Sequence, residues 1–252
     1  MKIQYCSDLH LEFRENAEYL KANPLIPSAD ILVLAGDIVP FGSMQKHDEF
    51  FDQISKQYEF VYWIPGNHEY YHGDINARSG SFSENIRENV ILLNNRVVEL
   101  ERSRLLFSTL WSKISPQKAW TIQHGMADFQ VITDSKAEFT IERFNVLYHE
   151  SVAFLKTEMA KTSNLPAWVV THHVPTFQDY PAKYKDSPLN EAFASELSDL
   201  IIEASPDCWL YGHHHQPVPQ FRVGSTRLVT NQLGYVRYGE HTTFNERAII
   251  DL

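Results

Sequence analysis

Residues 31–37 have the sequence ILVLAGD, in which five apolar residues are followed directly by a glycine and an aspartate. A short continuous apolar run of this kind is typical of a strand that is buried on both faces of a sheet. Gly36 permits a tight turn or a close approach of another backbone, so Asp37 is placed at the end of the strand. The segment therefore predicts a buried strand with an acidic group at its carboxyl end.

The same arrangement recurs at four other places in the chain. Apolar runs at residues 3–6, 60–64, 168–171 and 208–211 are each followed by polar residues rich in Asp, Asn and His. These clusters are Ser7-Asp8-Leu9-His10, Gly66-Asn67-His68-Glu69, His172-His173 and Gly212-His213-His214-His215. Ligand sites in open α/β sheets gather outside the carboxyl ends of the strands. We therefore expect all five clusters to face one crevice.

The pattern of apolar residues also indicates the fold class. Helical periodicity occurs at residues 46–58, 141–161 and 191–203, between apolar runs that include two more at 90–93 and 105–108. Strands that alternate with helices predict an α/β fold with parallel pairing early in the chain. After residue 218, two short strands joined at Gly224-Ser225 predict an antiparallel section. The sheets are therefore expected to be mixed.

Composition limits the class of protein. The 252 residues are 43% hydrophobic and predict one domain spanning residues 1–252. A formal charge of −10 disfavours general nucleic-acid binding. Cys6 and Cys208 lie far apart in apolar runs, which predicts buried thiols rather than a disulfide framework. Without a signal-like segment or an apolar run of membrane-spanning length, we expect a cytoplasmic protein with no membrane partner.

The clusters together supply many metal-binding side chains. In extended backbone, residues two apart point the same way, so Asp8 and His10 are expected to reach one ion while Leu9 turns into the core. The same geometry pairs His213 with His215. The candidate ligands are Asp8, His10, Asp37, Asn67, either His172 or His173, His213 and His215. This set is too large for one tetrahedral zinc, and it suits two divalent ions chosen from Mn, Fe, Zn or Ni.

The order of these motifs resembles the five-part signature of the calcineurin-like metallophosphoesterases. The resemblance runs from Asp8 to His215 and implies a four-layer α/β/β/α sandwich with a dinuclear metal centre. It assigns Asp8, His10 and His215 to one metal and Asn67, His172 and His213 to the other, with Asp37 as the bridge. It also implies that His68 lies near the leaving group as the catalytic residue.

The third ligand of the second metal has two candidates. Members of the family often show His-His-Pro after this strand, whereas this chain has His172-His173-Val174-Pro175. Counting from the end of the strand favours His172, and counting back from Pro175 favours His173. Both assignments keep the ligand within the same strand-end cluster.

The resemblance implies hydrolysis of a small phosphomonoester or phosphodiester, such as a nucleotide. A hydroxide between the metals would attack phosphorus, and the His68 imidazole would protonate the departing alkoxide. Two divalent cations outweigh the charges of Asp8 and Asp37, so the centre is expected to attract an anion despite the acidic chain. The pattern does not indicate an oligomeric state.

Three other functions fit the same fold. Protein Ser/Thr phosphatases continue the second motif as Gly-Asp-x-Val-Asp-Arg-Gly, whereas Gly36-Asp37-Ile38-Val39-Pro40-Phe41-Gly42 lacks the second aspartate and the arginine. A nuclease is disfavoured by the acidic charge. A non-catalytic interaction scaffold would have lost metal ligands, and every ligand position is filled here.

Loops between the motifs are expected to select the substrate. Residues 110–140 and 175–188 have weak periodicity and are predicted to form caps or lids. His124 in the first segment is a candidate substrate-binding residue together with Asn67 and His68. In the second segment, Lys183, Lys185, Tyr180 and Tyr184 are close in sequence to the His172 motif. Arg14 follows the first motif similarly, and these basic residues are candidates for phosphate contacts.

Overall fold

Two six-stranded sheets organise the chain, which a computed structural model describes from residue 2 to residue 251. Residues 1 and 252 of the predicted domain lie outside the described residues. The strands are β1 (Lys2–Cys6), β2 (Ile31–Ala35), β3 (Phe60–Ile64), β4 (Phe82–Asn85), β5 (Val90–Asn94), β6 (Arg96–Leu100), β7 (Ser103–Ser108), β8 (Thr133–Asp134), β9 (Ala137–Glu138), β10 (Ala167–Thr171), β11 (Cys208–Leu210), β12 (Phe221–Val223), β13 (Thr226–Val229) and β14 (Ile249–Asp251).

Six α-helices accompany the strands within residues 2–251. They are α1 (Arg14–Ala22), α2 (Asp48–Gln57), α3 (Pro116–Gly125), α4 (Asp128–Val131), α5 (Ile141–Met159) and α6 (Ser198–Ala204). Short 3₁₀ turns, such as Phe41–His47 and His68–Tyr70, complete several of the loops. No helix among residues 2–251 is both long enough and apolar enough to cross a membrane.

Both sheets are mixed, as the sequence predicts. The first has the order β14-β1-β2-β3-β5-β4, with parallel pairing from β1 to β5 and antiparallel strands at its edges. The second has the order β12-β13-β11-β10-β7-β6, again with a parallel centre. The β12–β13 pair is the hairpin predicted at Gly224-Ser225. Parallel centres bring the carboxyl ends of successive strands to one edge of each sheet.

Alternating side chains of the central strands build three apolar layers. In β2, Val33 points into the core between the two sheets, whereas Leu32 and Leu34 pack on the helical side near α2. In β10, Val170 faces the same inter-sheet core and Val169 faces the core beneath α5. Helices, sheet, sheet and helices therefore follow one another, and the predicted four-layer α/β/β/α sandwich is confirmed.

Some elements differ from the predicted ones. Residues 191–203 were expected to form one helix, but the helix begins only at Ser198. The preceding residues pair with the loop after β10, because the Val174 amide donates to the Phe193 carbonyl and the Ser195 amide donates to the Val174 carbonyl. Helix α1 and the edge strands β4, β6 and β14 were not predicted.

The inter-sheet core supports the whole fold. Phe107 is completely buried there, 5.5 Å from the Tyr62 ring of the opposite sheet measured between ring centroids. We predict that Phe107→Ala lowers the free energy of unfolding by about 3–5 kcal/mol, because it removes buried area and leaves a cavity. Phe60→Ala, at a side chain that is 38% exposed, should cost only about 1 kcal/mol. Urea denaturation measures the free energy of unfolding of both variants. Equal losses for Phe107→Ala and Phe60→Ala would contradict the assignment of Phe107 to the core.

Candidate metal centre

The polar clusters meet because loops of neighbouring strands are joined by backbone hydrogen bonds. The Asp8 amide donates to the Gly36 carbonyl and the His10 amide to the Asp37 carbonyl, each at 2.9 Å. In the second sheet, the Gly212 amide donates to the His172 carbonyl at 3.0 Å. These bonds extend the parallel pairing past the ends of the strands. As a result, all five clusters lie at one edge of the sandwich.

The backbone of these loops is not extended, contrary to the sequence prediction. Asp8, His10, Asp37, His213 and His215 all have positive φ, between 47° and 83°. Left-handed residues turn the chain sharply, and Asp and His tolerate this conformation better than most side chains do. The expected grouping nevertheless holds, because these five residues converge on the same edge.

The residues between the ligand candidates face the other way. Leu9 is completely buried in the core on the helical side of the first sheet. His214 is also turned away, because its Nδ1 lies 3.2 Å from Gln232 Nε2 and its ring packs against Tyr180 and Tyr211. Burial lowers the pKa of His214 to about 3. Its neutral imidazole is therefore part of the supporting structure.

One group of converging atoms is formed by Asp8, His10, Asp37 and His215. Ligand atoms of these four residues lie within 4.8 Å of one another. The Nε2 atom of His215 is 2.9 Å from His10 Nε2 and 3.3 Å from Asp8 Oδ1. Asp37 Oδ2 is 3.7 Å from His10 Nε2. Two imidazole nitrogens and two carboxylates that face one point form a donor set suited to a divalent cation.

A second group shares Asp37 with the first. His172 Nε2 is 3.3 Å from Asp37 Oδ2 and 3.0 Å from His213 Nδ1. The Asn67 Oδ1 atom is buried and has no hydrogen-bond partner among residues 2–251. His172 Nδ1 lies 2.9 Å from the Ala35 carbonyl. Because a carbonyl can only accept a hydrogen bond, the imidazole proton of His172 is on Nδ1, and Nε2 is free to act as a ligand.

His173 occupies a different environment from His172. Its Nδ1 lies 3.3 Å from the Thr109 carbonyl, and its ring is 5.3 Å from that of Trp111. Burial and the neighbouring His172 lower the pKa of His173 to about 3. The structure thus brings His172, and not His173, into the group of ligand atoms around Asp37.

The space around the two groups fits metal ions. A Cβ atom added to Gly66 would collide with Asp37 Oδ1 and would lie 2.6 Å from His172 Nε2. Gly36 lies similarly against the His172 ring. Only glycine at these two positions lets the donor atoms approach one another so closely. The orphaned Asn67 oxygen and the facing imidazole nitrogens are satisfied together when cations lie between them.

Glu69 holds two of the loops in place. Its buried carboxylate accepts hydrogen bonds from the amides of Asp37, Ile38 and Gly66 and from Trp63 Nε1, at 2.6–3.1 Å. Burial and the charge of Asp37 raise the pKa of Glu69, while the amide donors oppose that rise. This carboxylate therefore fixes the turn that carries Asp37 against the turn that carries Asn67.

Glu12 is a functional candidate that the sequence reasoning missed. Its Oε1 atom lies 2.9 Å from His68 Nδ1 and 3.2 Å from His10 Nδ1. Burial alone would raise the pKa of Glu12, but the hydrogen bonds of the two imidazoles bring it to about 2. The available signal was spacing, because Asp8, His10 and Glu12 continue one series of alternate residues.

His68 stands at the edge of the metal centre. Its amide donates to Asp37 Oδ1 at 2.9 Å, its ring stacks on Tyr71, and its Nε2 lies 3.3 Å from the Tyr235 hydroxyl. Burial alone would lower the pKa of His68, but the charges of Asp37 and Glu12 raise it. The Nδ1 atom of His68 is thus hydrogen-bonded to the Glu12 carboxylate, and its Nε2 atom lies on the side of the cavity described next.

A cavity of about 360 Å³ opens above the centre, and we call it the catalytic cavity. Asp37, Asn67, His68, His213 and His215 are at its base. Its other lining residues are Tyr71, Met126, Ala127, Tyr180, Tyr184, Ser187, Leu189, Asn190, Phe193, His214, Tyr235 and Glu240. Within residues 2–251, no lysine or arginine lines it. Five aromatic residues give the walls much of their apolar surface, and Ser187, Asn190 and Glu240 add polar groups to them.

Both predicted loop segments contribute to these walls, but not through every predicted residue. His124 was expected to contact the substrate, but it is exposed on α3, with Nδ1 2.8 Å from the Trp120 carbonyl, and it is not among the residues that line the cavity. Met126 and Ala127 reach the cavity instead. Lys183 lies over the Tyr184 ring, and Arg14 pairs with Glu18 in solvent. Neither these two residues nor Lys185 lines the cavity.

Comparison with known proteins agrees with this architecture. A curated protein of Acanthamoeba polyphaga mimivirus, described as uncharacterized, is 35% identical over 276 residues, covering 99% of this chain and 96% of the relative. The crystal structure of phosphopantetheinyl hydrolase from Mycobacterium tuberculosis has a TM-score of 0.72 at 17% identity, covering 98% of this chain and 94% of that one. Residues 1–217 match the calcineurin-like phosphoesterase family, and the chain therefore belongs to this family of phosphate-ester hydrolases.

Proposed function

We propose that this protein hydrolyses a small phosphomonoester or phosphodiester with two divalent metal ions. The observation that carries the proposal is the position of Asp37, whose carboxylate belongs to both groups of converging ligand atoms. Carboxylates that bridge two ions are typical of two-metal hydrolases. The geometry supports Asp8, His10 and His215 as ligands of one ion and Asn67, His172 and His213 as ligands of the other.

Divalent cations bound there supply Lewis acidity toward phosphate oxygens and lower the pKa of water. The chain itself orients the reacting groups. Glu12 holds the Nδ1 proton of His68, so a protonated His68 presents its second proton at Nε2 to the leaving oxygen. Tyr71 keeps the imidazole plane in place by stacking at 4.0 Å between ring centroids. His68 is therefore assigned as the general acid and Glu12 as its positioning residue.

The catalytic cavity supports a small substrate rather than a protein or a nucleic acid. Its volume of about 360 Å³ suits a single organic phosphate ester. A polyanion needs several cationic side chains along its backbone, and no Lys or Arg lines this cavity among residues 2–251. Aromatic and apolar walls instead suit an uncharged organic group. Complete ligand groups argue against a scaffold that has lost its chemistry.

The first test is an activity panel with a matched inactive variant. Metal-free protein is reconstituted with Mn, Fe, Zn or Ni and assayed on p-nitrophenyl phosphate, bis-p-nitrophenyl phosphate, cyclic nucleotides and a phosphopantetheinyl ester. The last is included only because the Mycobacterium tuberculosis relative is named for that group. We expect hydrolysis with at least one metal, and we expect Asp37→Asn to lose both ions together. The proposal would be contradicted if the wild-type protein bound two ions and still turned over no substrate faster than Asp37→Asn does.

His68→Ala tests the general acid. We expect both metals to remain bound, and the kcat for phenyl phosphate to fall by about 10²–10⁴-fold. The kcat for p-nitrophenyl phosphate should fall much less, because p-nitrophenolate leaves without needing a proton. His149→Ala, at an exposed position on α5, is the control. Loss of a metal ion from His68→Ala, measured by elemental analysis, would show that His68 is a ligand instead.

Glu12→Gln tests the positioning role. We expect a loss of about 10–100-fold in kcat for phenyl phosphate, because the imidazole loses its charged partner. Adding His68→Ala to Glu12→Gln should cost little beyond His68→Ala alone, since both changes disable one unit. Glu15→Gln, an exposed carboxylate on α1, is the control, and metal content is measured in parallel because Glu12 also contacts His10. Fully additive losses would argue that Glu12 acts independently of His68.

A further inference from the structure

A second cleft, of about 520 Å³, adjoins the catalytic cavity. The two spaces share His68 and Tyr71 as lining residues. The far side of the second cleft is formed by Phe13, Gly42, Ser43, Lys46, His47 and His72. Most of these residues come from the loop after β2 and its 3₁₀ turn Phe41–His47. The proposed general acid thus stands between two separate binding spaces.

The two ring nitrogens of His68 face these two spaces. Nδ1 lies 2.9 Å from Glu12, which lines the second cleft, and Nε2 lies 3.3 Å from the hydroxyl of Tyr235, which lines the catalytic cavity. A phosphate at the metal centre therefore has room on both sides of the imidazole. A monoester has one organic group and fills one space, whereas a diester has two.

The second cleft also differs from the catalytic cavity in charge. Lys46 lines it and is exposed, and among residues 2–251 its ammonium forms no ion pair. His47 lies beside it. Among the described residues, the only carboxylate that lines this cleft belongs to Glu12, which contacts His10 and His68. The free charge of the cleft is therefore positive, which complements an anionic group.

We propose that the second cleft binds the second ester arm of a phosphodiester and that this arm carries an anionic group next to Lys46. The inference rests on the proposed function and names its substrate class. In the reaction, the oxygen of one water bonds to phosphorus and the bond from phosphorus to one arm breaks. That arm leaves as an alcohol with the proton from His68, and the proton released by water restores the acid.

Two variants and three esters test the proposal. The esters are p-nitrophenyl phosphate, its ethyl diester and its 2-carboxyethyl diester. Wild-type protein should prefer the carboxyethyl diester over the ethyl diester in kcat/KM. Lys46→Ala should reduce that preference by about three- to fivefold through KM, as expected for an exposed ion pair. Lys56→Ala, an exposed lysine of α2, should keep the preference of the wild type.

Gly42→Trp tests the space itself. Gly42 lines the cleft, and a Cβ atom added there meets no atom within 4 Å, so a side chain at this position starts in open space. The ratio of kcat/KM for the diesters to that for p-nitrophenyl phosphate should fall by about tenfold. Asn164→Trp, in an exposed loop, should keep the ratio of the wild type.

The outcomes distinguish a failure of the proposed function from a failure of the second cleft to bind the substrate. If metal-loaded wild type hydrolyses none of the three esters, the proposed function fails and this inference fails with it. If it hydrolyses the esters but shows no preference for the carboxyethyl arm, or if Gly42→Trp leaves the diester ratio unaltered, the second cleft is not the binding site. A reduced preference with Lys46→Ala and a reduced ratio with Gly42→Trp together support it.

Discussion

Among residues 2–251, Asp37 is the one residue whose carboxylate belongs to both groups of candidate ligand atoms around it. It follows β2 in the first sheet, yet its Oδ2 lies 3.3 Å from Nε2 of His172, which follows β10 in the second. The distance between the sheets therefore sets the distance between the ligand groups. That spacing depends on close packing of the inter-sheet core, whose side chains resist small changes in volume. Stability of the interior and geometry of the site are thus linked.

The ligand loops are held in an unfavourable backbone conformation. Each left-handed, non-glycine residue costs about 1–3 kcal/mol, and Asp8, Asp37 and His213 are among those with positive φ. Hydrogen bonds offset part of this cost, since the His213 amide donates to Asp8 and the Asp37 amide donates to Glu69. Strained turns bring the side chains closer together than extended strands would. The support given by Glu69 is therefore as much a part of the site as the ligand candidates are.

The sequence predicts the fold well because buried parallel strands leave a strong local signal. The runs at 31–35 and 60–64 match β2 and β3 at both ends. The turn conformation of Asp8 and His10 was not predictable, because φ in a strand-end loop depends on partners such as the Gly36 carbonyl. Helix α6 begins late for the same reason, since tertiary pairing overrides its helical periodicity.

The candidate site could be predicted where residue type alone specifies the chemistry. It could not be predicted where the role of a residue depends on which other residues the fold brings close to it. Histidines and aspartates at strand ends indicate a metal centre in any order of loops. The alternate spacing of Glu12 after Asp8 and His10 is only a weak signal in the sequence, and it is the fold that places Glu12 between two imidazoles. His124 shows the opposite case, because its position in an aromatic segment suggested a substrate contact, whereas the fold leaves it exposed on α3 and outside the lining of the cavity.

The net charge of −10 takes on a different meaning once its distribution is known. Asp8, Asp37, Glu12 and Glu69 belong to the centre, where imidazoles and amides engage them. The remaining surface still repels a long polyanion, because a chain of phosphates would have to lie along it. A single phosphate meets only the base of the catalytic cavity, where bound cations would reverse the local charge. If the proposed function holds, selectivity for small anions would follow from cations bound at this one edge of the sheets in a chain that is acidic as a whole.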